Sequence, residues 1–320
     1  MISVIIPVFN GLNFLRDAVD SVLHQSYHDF ELVIVDDASD EDIESCVRTH
    51  YSAFLDQKKI RFFRNDKNME RCYSRNRGVD LSSGEIVIFL DHDDRFKKHH
   101  FSEINKAFVQ FPDVDLVYSI PEEIIDSQNQ IVGKRQKSKL DPDLVKLALQ
   151  AFFCTVGLSF RKSSFNQIGQ FNLITTQRED YELTCRAIIQ HRLKVKIISS
   201  NSVQIRQKDK PVSRIIRRPS DPFLYFSKVL VGLVENYEMM KVRKVAQRYL
   251  PYLYLEVINL AISYNDIRYA VHLLVKTFVL NPSFVASYFR VVIRVFVRFF
   301  YLSVGTTLRA IRRICGKTDS

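Results

Sequence analysis

Hydrophobic residues occur in continuous runs along the first third of the chain, separated by segments with a helical spacing of apolar positions. Three runs, residues 3–9, 31–37 and 85–91, are rich in β-branched residues and do not alternate with polar positions. Such runs are typical of strands buried on both faces. The segments between them place apolar residues three or four positions apart, which predicts helices. This alternation predicts an α/β fold with a doubly wound, mostly parallel sheet.

Each of these predicted strands ends in candidate site residues, which are polar except for Phe9. They are Phe9 and Asn10, then Asp36 and Asp37, then Asp91 to Asp94. Right-handed crossovers bring the carboxyl ends of parallel strands to one edge of the sheet. Ligands of open α/β sheets bind beyond that edge. The sequence therefore predicts a binding crevice to which three separate strands contribute.

Asp91, Asp93 and Asp94 place three carboxylates within four positions, where they repel one another. A divalent cation among them would remove this repulsion. An Asp-x-Asp pair offers the oxygen ligands that Mg²⁺ or Mn²⁺ takes from few protein groups together with substrate phosphates. A solvated acidic turn explains the same residues without a metal, since Asp is common in turns. The second acidic pair, Asp36 and Asp37, favours the metal hypothesis.

The net charge of +10 is distributed unevenly along the chain. Residues 1–130 contain 14 Lys and Arg against 24 Asp and Glu, and residues 131–320 contain 32 against 12. The acidic part suits a metal ion, and the basic part suits phosphate groups or an anionic membrane surface. Nucleic acid is not an expected partner, because the chain has no recognised binding motif. Five scattered cysteines without a Cys-x-x-Cys pair indicate a reducing, cytoplasmic compartment.

The C-terminal third predicts helices at roughly 222–239, 241–263, 265–279 and 283–313. Arg290, Arg294 and Arg298 recur every four residues and so share one helix face. Three arginines disfavour a membrane-spanning helix. The stripe fits a helix at the inner face of the cell membrane, or one packed on the preceding domain with its arginines in water. We expect two domains, 1–215 and a helical region at 216–320.

Four stretches within residues 1–215 together resemble the family 2 glycosyltransferases, which have the GT-A nucleotide-sugar-binding fold. They are SVIIPVFNGLNFLRDAVDSVLHQSYHDFELVIVDDASDE, RNRGVDLSSGEIVIFLDHDD, FRKSSFNQIGQF and QREDYELTCR. The first stretch is highly specific as a whole. The resemblance implies an inverting, metal-dependent transferase that uses a nucleotide sugar, UDP-linked by expectation, and Mn²⁺ or Mg²⁺. The acceptor would be a hydroxyl of a glycan or of a lipid-linked saccharide.

The resemblance also implies a donor site at the strand ends. Its nucleoside pocket would be lined by Pro7, Val8, Phe9 and Asn10. Asp37 would accept a hydrogen bond from the base imide, while Asp36 would support the turn beside it. Arg75 and Asn76 would lie near the donor diphosphate and ribose.

For the chemistry, the resemblance assigns Asp93, with Asp91 in the same Asp-x-Asp motif, to the metal. Asp91 and the backbone of His92 would face the ribose and the sugar. Asp180 would be the general base that takes the acceptor proton, with Glu179 as its neighbour in the catalytic pair. Without the family, the two acids would be interpreted as helix-capping carboxylates. Because a helix N-terminus lowers the proton affinity of a carboxylate, the surroundings of Asp180 must compensate.

The sequence departs from the family pattern at three places. MERCYS, residues 69–74, replaces the small, Gly-rich residues that usually precede Arg-Asn. Lys208 falls where many relatives have a metal-proximal His, and it would contact phosphate instead unless the alignment shifts there. No Gln-x-x-Arg-Trp motif is present, and relatives that polymerise processively carry it, so we expect transfer of one sugar at a time. The alternative function is a non-catalytic nucleotide-binding or signalling protein on a related α/β fold.

Overall fold

The computed structural model describes residues 1–134, 142–149, 153–173, 175, 179–207, 258 and 267–280. The backbone divides into two compact units, Met1–Ser213 and Arg214–Ser320. Outside the described residues lie Lys208, the arginine stripe, the predicted helices at 222–239 and 283–313 and nearly all of that at 241–263. The predicted domain boundary and the membrane role of the second domain stay predictions. Within the described part of the chain, no helix is long and apolar enough to cross a membrane.

Strands and helices alternate along most of the first unit. The strands are β1 (Ile2–Val8), β2 (Phe30–Asp36), β3 (Ile60–Arg64), β4 (Ile86–Phe89), β5 (Arg95–Phe96), β6 (Leu116–Ser119), β7 (Glu123–Ile125), β8 (Ile131–Lys134), β9 (Leu158–Arg161), β10 (Val195–Ile198) and β11 (Val203–Arg206). The helices are α1 (Leu12–Leu23), α2 (Ile43–Asp56), α3 (Glu70–Leu81), α4 (His100–Gln110), α5 (Leu144–Leu149), α6 (Lys162–Gln167) and α7 (Glu179–Cys185). In the second unit the described helix is α8 (Ile267–Leu280), where the pattern predicts one at 265–279.

The central sheet of the described residues has seven strands in the order β10-β6-β9-β4-β1-β2-β3. All of them are parallel except β9, which runs antiparallel to β4 and β6. β1, β2 and β4 are buried along their whole length, as expected for strands covered on both faces. The chain moves outward from β1 to β3 and then returns to β4 on the other side of β1. The crevice at this switch point lies beyond the carboxyl ends of β1 and β4, and the predicted α/β fold is confirmed.

A second sheet of the described residues has four strands in the order β5-β11-β7-β8. Its first strand follows the acidic cluster in the sequence. β5 begins directly after Asp94 and pairs antiparallel with β11. β11 also pairs with β7 in parallel. This pairing places Arg206, at the end of β11, beside residues that are more than 100 positions earlier in the sequence.

Candidate active site

The carboxyl ends of β1, β2 and β4 surround an open cavity of ≈ 200 Å³. Its walls include most of the predicted donor and metal residues, namely Pro7, Val8, Phe9, Asp37, Arg75, Asp91, His92 and Asp93. Asn68, Glu70 and Arg71 complete the wall and were not predicted individually. Phe9 is 43% exposed and offers an apolar ring at the cavity mouth. Three strands thus contribute to one crevice, as the alternation predicts.

Two neighbouring aspartates at the end of β2 have different surroundings. Asp36 is fully buried and accepts hydrogen bonds from the backbone N–H (3.0 Å) and the hydroxyl (2.6 Å) of Ser39. Its other oxygen pairs with Arg64. Asp37 lies in the cavity wall, where one oxygen accepts from Asn65 Nδ2 at 2.6 Å and from the backbone N–H of Met69 at 2.9 Å. Asp36 therefore fixes the turn, and Asp37 faces the crevice.

Asn10 lies outside the first cavity. Its side chain forms two hydrogen bonds with Asp40, donating at 3.1 Å and accepting from the backbone N–H at 2.8 Å. Asn10 lines a neighbouring cavity of ≈ 250 Å³ with Gly11, Asn13, Phe14, His92, Asp93, Ser127, Arg206 and Gln207. His92 and Asp93 thus form part of both cavities.

Gly11 allows the His92 ring to lie directly against the backbone that follows β1. A Cβ atom on Gly11 would lie 2.1 Å from Cδ2 of His92, which is far inside van der Waals contact. We expect Gly11→Ala to displace the ring between the two cavities and to slow the sugar transfer that the resemblance implies about 100-fold, as small misplacements at a reacting centre do. Steady-state kinetics would show this loss.

Gly133→Ala, in which the added Cβ lies an ordinary 3.5 Å from Ile124, is the matched control for Gly11→Ala. An Ala at position 11 that leaves transfer unchanged would show that the close packing of His92 has no role in the site.

Arg75 joins two acidic residues of the site through its guanidinium group. Its Nη2 donates to Asp91 at 2.6 Å and its Nη1 donates to Glu179 at 2.8 Å. Arg75 is 1% exposed. Burial disfavours the charge of Asp91, but the Arg75 guanidinium outweighs burial and holds the pKa of Asp91 below its ordinary value. The repulsion expected between Asp91 and its neighbours is therefore offset in part by a buried arginine from α3.

Glu179 and Asp180, the two acids at the start of α7, have different surroundings. Glu179 is buried against Arg75, and Arg71 lies 3.6 Å from it. Asp180 accepts a hydrogen bond from the backbone N–H of Tyr181 at 2.8 Å. Burial and the negative charge of Glu179 raise the pKa of Asp180 to about 6. The raised pKa opposes the lowering that a helix N-terminus causes. It suits a group that accepts a proton near neutral pH.

The carboxylates of Asp91, Asp93 and Asp94 offer oxygen atoms that all lie within 4.8 Å of one another. Asp94 is buried and accepts the backbone N–H of Arg206 at 2.8 Å. Asp91 and Asp93 line the ≈ 200 Å³ cavity, which we call the donor cavity after its predicted ligand. An all-oxygen group of this kind suits Mg²⁺ or Mn²⁺ better than zinc. The residues present therefore fit the predicted metal.

Asn76 was predicted near the donor diphosphate and ribose, and the position of Glu70 was not predicted. Asn76 binds the backbone of Phe171 in both directions, at 2.8 and 3.0 Å, so its amide is occupied by the protein. Glu70 has a left-handed backbone (φ 70°) at the start of α3, inside the segment that departs from the family pattern. That departure was the available signal for Glu70 and Arg71.

The first 169 residues decide the family. The protein-family model described as glycosyl transferase family 2 matches residues 3–169, more than half of the chain. The chain belongs to glycosyltransferase family 2. Among curated relatives, an uncharacterized glycosyltransferase of Nostoc is 31% identical over 52% of this chain and 52% of its own length. A Campylobacter jejuni protein named GalNAc(5)-diNAcBac-PP-undecaprenol beta-1,3-glucosyltransferase is 36% identical over 29% of each chain.

Solved structures share the fold. TarS 1–349 of S. aureus in complex with UDP superimposes with a TM-score of 0.63 at 14% identity, over 95% of this chain and 91% of the 1–349 chain. The complex of TarS 1–349 with UDP-GlcNAc superimposes with a TM-score of 0.62 at 16% identity, over 87% of this chain and 81% of its own. The family match confirms the family resemblance, and these structures confirm the GT-A fold. The match to the Nostoc relative and to a Rickettsia typhi glycosyltransferase spans about half of each relative's length, 52% and 57%.

Proposed function

We propose that this glycosyltransferase family member moves a single sugar from a UDP-sugar to a hydroxyl of a glycan or lipid-linked acceptor, with inversion at the anomeric carbon. One observation carries the proposal. Arg75 joins Asp91, in the wall of the donor cavity, to Glu179, and Glu179 precedes an acid whose pKa is raised to about 6. Arg75 thus connects the donor crevice to the residue that directly precedes the proposed proton acceptor.

The comparisons support the substrate class. TarS, with the same fold, has been crystallised with UDP and with UDP-GlcNAc. The Campylobacter relative is named for a diphosphate-linked undecaprenol acceptor. Within the crevice, the Phe9 ring suits the base or ribose, and the Asp37 carboxylate suits a base N–H. An imide N–H is present in uracil, which favours UDP over cytidine nucleotides.

We assign Asp93 and Asp91 to Mn²⁺ or Mg²⁺. The ion would supply positive charge to a diphosphate leaving group. The proton transfer is assigned to a residue of the protein. Asp180 accepts the proton of the acceptor hydroxyl as its oxygen bonds to the anomeric carbon. The bond from that carbon to the donor phosphate breaks at the same time, and UDP leaves with the electron pair. A single displacement of this kind inverts the anomeric centre.

The test is a calorimetric screen of UDP-, GDP-, dTDP- and CMP-sugars with and without Mn²⁺, using the native chain and Asp93→Ala. We expect UDP-sugars to bind in a Mn²⁺-dependent way. Loss of an outer partner of a metal site costs roughly 10–100-fold in affinity, so loss of the ligand itself is expected to cost more than about 100-fold. Asp113→Ala, an exposed acid paired with Lys194, is the control and should behave as the native chain.

Equal Mn²⁺ dependence in native chain and Asp93→Ala would refute the metal assignment. Binding of UDP-sugar without hydrolysis or transfer to any acceptor would favour the alternative, a non-catalytic nucleotide-binding protein. A UDP product that forms only with an acceptor present would support the transferase.

A further inference from the structure

Arg206 is a buried arginine to which the sequence analysis assigned no role. It is 5% exposed and ends β11, beside the turn that carries the acidic cluster. Its own backbone N–H donates to Asp94 Oδ1 at 2.8 Å, and its Nε donates to the carbonyl oxygen of Asp93 at 2.8 Å. One residue thus binds the side chain of Asp94 and the main chain of Asp93.

The outer part of the guanidinium binds two other segments. Nη2 donates to Asp17 of α1 at 3.1 Å and to Asn129 of the turn between β7 and β8 at 2.7 Å. Nη1 donates to the carbonyl of Asp126 at 2.5 Å. The guanidinium carbon lies 4.4 Å from the centre of the Phe14 ring, within cation–π range. Arg206 therefore connects the Asp93 turn to α1 and to the second sheet.

All three guanidinium nitrogens donate to protein acceptors, so the group is engaged before any ligand arrives. A planar fork with fixed donors holds several acceptors in one geometry, which a lysine cannot do. Arg206 binds the backbone carbonyl of Asp93, and the Asp93 carboxylate belongs to the same residue. Its direction at the junction of the two cavities consequently depends on where Arg206 holds the backbone.

We propose that Arg206 is a positioning residue for the Asp93–Asp94 turn, which sets the direction of the Asp93 carboxylate toward the donor cavity. This rests on the proposed function only for the role of Asp93. Arg206 itself contacts neither donor nor acceptor in this assignment. Its removal should affect metal affinity and local backbone protection, and should leave metal-free nucleotide binding intact.

The experiment compares Arg206→Lys with the native chain by Mn²⁺ titration in the presence of UDP, followed by electron paramagnetic resonance. We expect Mn²⁺ affinity to fall about 10–100-fold, as for outer partners of metal ligands. UDP affinity in EDTA should not change. Hydrogen exchange of the backbone amides at 91–94 should become faster, a readout that requires neither metal nor activity.

Arg161→Lys is the matched control. Arg161 also donates to backbone carbonyls, those of Val114 and Pro112, each at 2.8 Å, and its guanidinium lies 5.0 Å from the Phe108 ring. Arg161 is distant from the acidic turn in the sequence, and these partners do not belong to that turn. The control should leave Mn²⁺ affinity and exchange at 91–94 unchanged, so an equal effect of both variants would overturn the specific role of Arg206.

Asn129→Gly is a milder second variant in case Arg206→Lys does not fold. Asn129 has a left-handed backbone (φ 64°) that glycine adopts readily, so the change removes one acceptor with little strain. We expect Mn²⁺ affinity to fall about threefold through the loss of one hydrogen bond. If Asp93→Ala weakens Mn²⁺ binding and neither Arg206→Lys nor Asn129→Gly does, the positioning role is wrong. If Asp93→Ala itself has no effect, the proposed function fails, and the exchange data alone decide the role of Arg206.

Discussion

An Asp180→Asn variant is expected to bind the UDP-sugar donor with native affinity and to transfer sugar about 10²–10⁴-fold more slowly, the usual contribution of a general base. Asn has nearly the same shape and retains an oxygen that accepts the Tyr181 N–H, now 2.8 Å from Asp180. It cannot take a proton from the acceptor. Calorimetry of donor binding and single-turnover measurement of transfer would separate the two effects. A variant that transfers at the native rate would refute the assignment of Asp180 as the base.

The pH dependence of the native enzyme provides a second check on Asp180. Because burial and the charge of Glu179 raise its pKa to about 6, the base is ionised above that pH and protonated below it. The transfer rate with subsaturating acceptor should be level at pH 7–8 and fall about tenfold per pH unit below 6. The residual rate of Asp180→Asn should not show this fall, and if it does, the limiting ionisation belongs to another group.

Folding stability gives a control that does not depend on activity. A carboxyl whose pKa is raised in the folded state favours the protonated form there, so its ionisation destabilises the fold as pH rises. In the native chain this destabilisation is complete above about pH 6 and absent below the unfolded pKa of about 4. Asp180→Asn should therefore raise the melting temperature at pH 8 and leave it unchanged near pH 4.

The sequence predicted those parts of the molecule that depend on local pattern. Continuous apolar runs predicted the buried strands β1, β2 and β4, and the polar residues that follow them predicted the crevice. The family resemblance then selected Asp37 and Asp93, which line that crevice, and Asp180 at the start of α7. These predictions need only the identity of residues near a strand end or a helix start, which a single sequence provides.

Contacts between distant segments could not be predicted in this way. Arg75 was expected near the donor diphosphate, but its terminal nitrogens bind Asp91 and Glu179, the second of which lies 104 positions away. Arg206 was not among the predicted site residues, because its contacts with the acidic turn depend on the pairing of β11 with β5. No local pattern shows that either arginine is buried, and only the fold places both of them against carboxylates.

Arg75→Leu is expected to destabilise the fold by about 3–5 kcal/mol, the usual cost of removing one partner of a buried ion pair. Glu179, whose side chain is 6% exposed, would keep its charge in a buried position and lose its 2.8 Å donor. Asp91 would lose its 2.6 Å donor as well, so donor binding and transfer should also fall. Urea denaturation at pH 7.5, with transfer measured in parallel, would test both effects.

Arg71→Leu is the matched control for this prediction, because Arg71 approaches the same Glu179 oxygen at 3.6 Å with a side chain that is 54% exposed. Exposed pairs contribute about 0–1 kcal/mol, so Arg71→Leu should change the free energy of unfolding by less than that. Adding Glu179→Gln to Arg75→Leu removes the unpaired buried charge and should restore part of the stability without restoring transfer. Equal stabilities of Arg75→Leu and Arg71→Leu would show that the buried pair does not hold the site together. Recovery of transfer in the double variant would show that Glu179 and Arg75 serve the fold and have no part in placing Asp91 or Asp180.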